Sequence, residues 1–211
     1  SFDQFIDVER LKSLDEYITQ GVERHIRTQH DELFHAGSLL LDRTAAKRPG
    51  SRIIYLSRSK RPASYFDLDK AHLWERTEEA REFALLMELI DSFPFQAQAR
   101  VMIMYDDSGK PVTAHRDHGS IDVCHEFIWF RTNLNKPFYV LNQKTGKRLD
   151  VESYSAWFDT CNQFHGADGQ KGLSISMRVD GVFTDAFRKR IPKPSVNPAS
   201  TAALWACSAL Q

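Results

Sequence analysis

Between Asp7 and about Gln29 the apolar residues Val8, Leu11, Leu14, Ile18, Val22 and Ile26 recur at three- and four-residue steps, which predicts one stripe of an amphipathic helix. Leu33–Leu41 reads as a short continuation, and Pro49-Gly50 marks a turn. Arg52–Leu56 reads as a strand. A second helix is predicted from about Lys70 to Ser92, with Trp74, Phe83, Leu86, Met87 and Ile90 on its buried face and Pro94 as its stop. Beyond Phe95 the period changes from 3.6 to 2. Ala99–Tyr105, Val112–Asp117, His125–Asn133, Phe138–Asn142, Arg148–Val151, Ser155–Cys161 and Leu173–Phe183 read as short strands, with Asp106-Asp107-Ser108-Gly109 and Lys144-Thr145-Gly146 as turns.

Helices first and short strands afterwards predict a mainly β chain of the α+β type, an antiparallel sandwich or barrel backed by helices. The expected organisation is a single domain over 1–211. Residues 1–95 would form a largely helical support, 96–190 the β core and 191–211 a tail. In the last strand Leu173, Ile175, Met177 and Val179 alternate with Ser174, Ser176, Arg178 and Asp180. The expectation is that the apolar set packs on the helices. The polar set would then face the barrel mouth, where Arg178 would meet a bound anion.

Composition narrows the partners. The 211 residues carry 28 Lys+Arg and 28 Asp+Glu, a net charge of zero, with both signs mixed along the chain. That gives no electrostatic case for nucleic acid or an anionic membrane. No apolar run approaches the ~18 residues of a membrane span, and the first residues lack a basic-then-apolar signal pattern. The three cysteines, Cys124, Cys161 and Cys207, are odd in number and irregularly spaced. Reduced thiols and a cytoplasmic location are therefore expected.

The candidate chemistry lies in His115-Arg116-Asp117 with the later His165. In a strand, i and i+2 share a face, so His115 and Asp117 can reach one metal ion. Two imidazoles and a carboxylate form the facial triad suited to non-haem Fe(II), with positions left open for other ligands.

The segment from about Ala99 to Phe183 resembles the double-stranded β-helix (jelly-roll, cupin-like) core of Fe(II)- and 2-oxoglutarate-dependent oxygenases. Within them it looks most like the aspartyl/asparaginyl β-hydroxylase group, which includes proline cis-hydroxylases. The residues behind this are His115-Arg116-Asp117, Arg131-Thr132-Asn133 leading into Phe138-Tyr139-Val140, Trp157-Phe158-Asp159-Thr160 before His165, and Ser176-Met177-Arg178-Val179-Asp180. By that resemblance His115, Asp117 and His165 would bind iron, and Arg178 would pair with the distal carboxylate of 2-oxoglutarate. O₂ would be the second cosubstrate. A planar guanidinium suits a carboxylate bidentately. Ser176, His125, Arg131, Tyr105 and Tyr139 are further candidates on the cosubstrate side. The chain departs from the family at His125 and Phe127, where an Arg and a His would hold acidic groups, so no substrate carries over.

The implied activity is hydroxylation of an unactivated C–H bond in an amino-acid-like small molecule, free or carrier-bound, with release of succinate and CO₂. A carboxylate at Asp117, where related halogenases have a small residue, favours hydroxylation over halogenation. The same iron chemistry giving desaturation or cyclisation, and a non-oxidative cupin-like metal-binding module, remain the competing readings. His118 and Asp159 could lie around the site, and Trp129 could line it. Arg58, Lys60 and Arg61 form a local basic cluster. The Pro-rich stretch Pro192–Pro198 and the tail around Leu204-Trp205 could engage a protein.

Overall fold

The Asp7 carboxylate accepts the backbone N–H of Arg10 and starts helix α1 (Val8–Ser13), which runs through Leu14 into α2 (Asp15–Thr28). The predicted single helix is thus broken at Leu14. Its stripe holds nonetheless, because Leu11, Leu14, Ile18 and Val22 are all buried. The computed structural model describes residues 1–28, 51–61, 63, 67–117, 126–142, 144–160 and 163–191. The predicted continuation at Leu33–Leu41, the residues His118, Cys124, His125 and Cys161, and the tail with Pro192–Pro198 and Leu204-Trp205 lie outside these.

Strand β1 (Ser51–Ser59) is longer than expected, and the predicted Lys70–Ser92 helix divides into several pieces. Ala71–Leu73 is a 3₁₀ turn and Trp74–Arg76 forms strand β2. Two short helices follow, α3 (Glu79–Glu82) and α4 (Ala84–Asp91). Pairing of Trp74–Arg76 with Ser57–Ser59 of β1 overrides the local helical tendency. Trp74 is further held by its indole N–H, which donates to the Asp67 carbonyl. The Thr77 hydroxyl, which accepts the Ala80 N–H, starts the helical part.

The strands that follow are β3 (Phe95–Asp106), β4 (Val112–His115), β5 (Glu126–Phe130), β6 (Phe138–Leu141), β7 (Arg148–Val151), β8 (Ser155–Ala156), β9 (His165–Ala167) and β10 (Ser174–Phe183). A last short helix, α5 (Asp185–Arg188), is capped by Thr184. A six-stranded sheet has the order β2-β1-β3-β10-β5-β8, and a four-stranded sheet the order β4-β9-β6-β7. All pairings are antiparallel. From β3 to β10 the chain winds between the two sheets so that β3, β10, β5 and β8 face β4, β9, β6 and β7. That strand order is a double-stranded β-helix.

The two faces of the large sheet differ in kind. Outward, Ile54, Leu56, Val101, Ile103, Ile128, Phe130, Met177 and Val179 pack against Leu11, Ile18, Val22, Phe83, Leu86 and Ile90 of the helical layer. Leu173 and Ile175 lean on the same core. The apolar face read from Leu173–Val179 therefore packs as expected. Inward, Phe127 and Trp129 of the large sheet meet Phe138 of the small one, with Phe158 closing the cluster.

Two polar clasps fix the ends of this assembly. The Asp3 carboxylate accepts the N–H groups of Tyr154 and Ser155 and the Ser155 hydroxyl, sealing the outer strand β8. At the end of β3, Asp106 accepts from the Ser108 N–H and from Lys136 Nζ, at 2.8 and 3.0 Å. Burial alone pushes the Asp106 carboxyl up, but the Ser108 hydrogen bonds and the Lys136 ammonium outweigh it and leave the carboxyl below its ordinary value of 3.8. A carboxyl depressed in the folded state adds stability above its unfolded pKa and loses it as pH falls through the folded value. Asp106→Asn is therefore expected to lower stability at pH 7 by about 1 kcal/mol. The gap from wild type should close below pH 3.8, as followed by urea denaturation across pH. A gap unchanged from pH 7 to strong acid would refute the clasp.

Candidate metal centre

Strands β4 and β9 are neighbours in the small sheet, and their register sets His115 directly opposite His165, with ring centroids 4.5 Å apart. Asp117 lies two residues beyond the last residue of β4. Its backbone N–H donates to the Thr160 carbonyl at 2.9 Å, which ties the turn carrying Asp117 to the segment leading into His165. The two ligand stretches are thus joined at two points.

The result is convergence of three donor atoms. Asp117 Oδ1 lies 3.5 Å from His115 Nε2 and 3.3 Å from His165 Nε2, and the three ligand atoms all fall within 4.8 Å of one another. Among the described residues this is the one group of metal-capable side chains. Each imidazole contacts a carbonyl two residues earlier in the chain, His115 Nδ1 to Thr113 O of β4 at 2.9 Å and His165 Nδ1 to Gln163 O, just before β9, at 3.2 Å. A carbonyl only accepts, so both rings carry hydrogen on Nδ1 and, when neutral, present a bare Nε2 to the centre. Two nitrogen lone pairs then face a carboxylate oxygen, and a cation among them satisfies all three.

The spacing suits such an ion. Bonds of about 2.1 Å to octahedral neighbours put the ligand atoms roughly 3 Å apart. Burial alone would raise the Asp117 carboxyl. Its close contacts with His115 and His165, with the charge of Arg178, hold it instead far below the usual carboxylate range. It is ionised and ready to ligate. The residues present fit a divalent first-row metal such as Fe(II).

Arg178 arrives from the large sheet. In β10 it stands opposite Trp129 of β5 and Met102 of β3, so its side chain is on the inward face. Its guanidinium lies over the Phe127 ring at 3.9 Å, with Nε donating to Asp180 Oδ1 at 2.8 Å and Nη1 3.4 Å from Asp117 Oδ2. Ser176 is half-buried on the same face, opposite Met104. The polar set of the last strand therefore lies on the inward face, and Arg178 is the member that reaches Asp117.

Other predicted residues lie elsewhere. Arg131 is buried and donates to the carbonyls of Ser153, Lys136 and Val151, so its guanidinium braces the corner between β5 and β6. Strand β5 ends at Phe130, one residue short of it. Tyr105 belongs to the outward core with Val101 and Ile103, on the side of the sheet away from Arg178. Tyr139 pairs with Gly166 while its neighbour Val140 pairs with His165, which sends Tyr139 to the opposite face, beneath the Arg148 guanidinium. Trp129, by contrast, faces inward on the side of Arg178, stacked on Phe138 in the aromatic cluster.

Sequence reasoning missed three contributors. Phe158 packs 5.0 Å from the His165 ring and Phe138 6.1 Å from it, giving the centre an aromatic wall. Arg100, buried at 2 % exposure, donates through Nε to Asp180 Oδ2 at 2.7 Å. Its signal was a lone charge inside the apolar strand Ala99–Tyr105, with a matching acid in Asp180.

The fold and the centre together define a double-stranded β-helix carrying a two-histidine, one-carboxylate candidate metal site. Comparison with solved structures gives a prolyl hydroxylase from Trichoplax adhaerens, in complex with a hypoxia inducible factor oxygen degradation domain peptide fragment. It has a TM-score of 0.48 and 13% identity, over 86% of this chain and 83% of that one. A prolyl-4-hydroxylase from Pseudomonas putida has a TM-score of 0.45 and 10% identity, over 85% of this chain and 89% of that one. At those scores the fold assignment rests on the strand order and not on the likenesses. No family model matches the sequence, and no curated protein matches it.

Proposed function

We propose that the chain is an Fe(II)- and 2-oxoglutarate-dependent oxygenase, of the aspartyl/asparaginyl β-hydroxylase-like group, that hydroxylates an amino-acid-like small molecule. The observation that carries this reading is the convergence of His115 Nε2, His165 Nε2 and Asp117 Oδ1, with a buried guanidinium beside them. Bound there, iron with the oxo acid and O₂ would supply the oxidising power to break an unactivated C–H bond, with succinate and CO₂ as coproducts.

The protein's part is to hold and to shield. His115 and His165 are oriented by carbonyls two residues upstream and keep Nε2 turned inward. Asp117 adds one negative charge, which offsets part of the charge of a divalent ion. In this reading Arg178, with Ser176 beside it, receives the distal carboxylate of the oxo acid, since a guanidinium in a partly dry site binds a carboxylate far better than in water. Phe127, Phe138 and Phe158 keep bulk water from the ion's flank. In this reading Arg131, Tyr105 and Tyr139 take no part in cosubstrate binding, and His125 lies outside the described residues. A small-molecule substrate, a cytoplasmic location and no role for nucleic acid complete the proposal. Among the described residues no helix is long and apolar enough to cross a membrane.

Anaerobic addition of 2-oxoglutarate to the Fe(II)-loaded protein tests it. A weak visible charge-transfer absorption is expected in wild type. In Arg178→Ala the 2-oxoglutarate concentration needed to develop it should rise at least tenfold, and Arg178→Lys should fall between the two. Absence of the absorption in wild type, with metal bound, would overturn the oxygenase reading in favour of a non-oxidative metal-binding module. Succinate release across a panel of amino acids then identifies the substrate, and its product separates hydroxylation from desaturation or cyclisation.

A further inference from the structure

We infer that Arg100 and Asp180 are positioning residues for the candidate metal centre, acting through Arg178 on the second oxygen of Asp117; this rests on the metal-centre reading above. The contacts form a chain across two strands, β3 and β10, and the turn after β4. Arg100 of β3 reaches Asp180 Oδ2 at 2.7 Å through both Nε and Nη2. Asp180 Oδ1 accepts from Arg178 Nε at 2.8 Å, and Arg178 Nη1 stands 3.4 Å from Asp117 Oδ2. Asp117 Oδ1, the other oxygen, faces the two histidines.

Geometry gives each link a task. A guanidinium is rigid and planar, so fixing its Nε edge fixes where its terminal nitrogens point. Asp180 holds that edge, and the Phe127 ring sets the plane from below. Asp180 is itself fully buried, at 0 % exposure. A carboxylate there stays ionised only with strong partners, and Arg100 supplies the second cation. With Oδ2 directed toward Arg178, Asp117 offers one oxygen to the ion rather than two, which keeps coordination positions for other ligands.

The competing reading is a buried ion pair that only fastens β3 to β10. Those strands are already joined by a backbone ladder from Ser174 to Phe183, on either side of the pair. A buried ion pair is also a poor fastener compared with well-packed apolar residues. Its extension to a metal-ligating carboxylate is what a fastener has no need of.

Co(II) binding to the full chain, followed by calorimetry and visible ligand-field absorption well below each melting temperature, decides between them. Asp180→Asn is expected to weaken Co(II) binding by about 10-fold, the lower end for loss of a residue that orients a ligand, and to alter the absorption. Arg100→Lys, which keeps the charge but loses the two-nitrogen grip, should weaken it a few-fold. Adding Asp180→Asn to Arg178→Gln should cost little beyond Arg178→Gln alone, because the two act in series. Wild-type Co(II) affinity and spectrum in Asp180→Asn and Arg100→Lys, with only the melting temperature lowered, would overturn the inference. If Asp180→Asn does not fold, Arg100→Lys decides alone. A wild-type chain that binds no Co(II) removes the metal centre itself, an outcome distinct from binding that the variants leave unchanged.

Discussion

His165→Ala is expected to abolish iron-dependent succinate production, and His115→Ala to do the same. Each removes one of three donors, so Fe(II) affinity should fall by more than the roughly 10–100-fold that follows loss of an outer partner. The two variants should differ in stability. His165 is buried, and its ring packs on Phe158, so truncation leaves a void beside the aromatic wall. His115 is half-buried, and its loss should shift the melting temperature less. Metal titration and succinate assay on both variants check this together. Should His115→Ala keep wild-type turnover, the ligand assignment is wrong.

Gly166→Ala should damage the fold and the centre at once. A Cβ there would lie 2.6 Å from the Val112 carbonyl oxygen and 2.6 Å from the Tyr139 hydroxyl. The tyrosine can swing aside, but the carbonyl belongs to β4, the strand that carries His115. Relief then requires β4 and β9 to part, and with them the two imidazoles. Overpacking of this kind costs about 1–3 kcal/mol. A clear loss of metal affinity is expected alongside it. Removing the movable obstacle in Gly166→Ala/Tyr139→Ala should restore only part of either property, since the backbone contact persists. A Gly166→Ala protein with wild-type melting temperature and metal affinity would show that the strand pair tolerates the methyl group.

How far the sequence disclosed this arrangement depended on whether each signal was local. Alternation in Leu173–Asp180 told the two faces of β10 apart because one packs on helices and the other on a polar interior. The spacing of His115 and Asp117 pointed to a shared ion, but the strand on which that reading rested ends at His115, and Asp117 reaches the centre from the turn beyond it. The placement of Tyr105 was legible in the sequence: it shares parity with Val101 and Ile103, hence the helix-packed side. Tyr139 could not have been placed without register, since its face is set by pairing with Gly166. Arg131 looked like a ligand for an anion, but its hydrogen bonds go to carbonyls of a corner that only the folded chain assembles. The Trp74–Arg76 strand was hidden in a helical pattern, because its partner in β1 is distant in the chain. Arg100 and Asp180 are eighty positions apart, at |i−j| = 80, and no periodicity links them.

Both imidazoles take their orientation from a carbonyl two positions upstream in the chain, Thr113 for one and Gln163 for the other. The aim of each ring is therefore written into a tripeptide and does not depend on remote scaffolding. Such a unit is portable. Transplanting Thr113–His115 and Gln163–His165 onto any adjacent antiparallel pair in matching register should carry the ring tautomer and tilt with it, leaving only the carboxylate to be engineered anew.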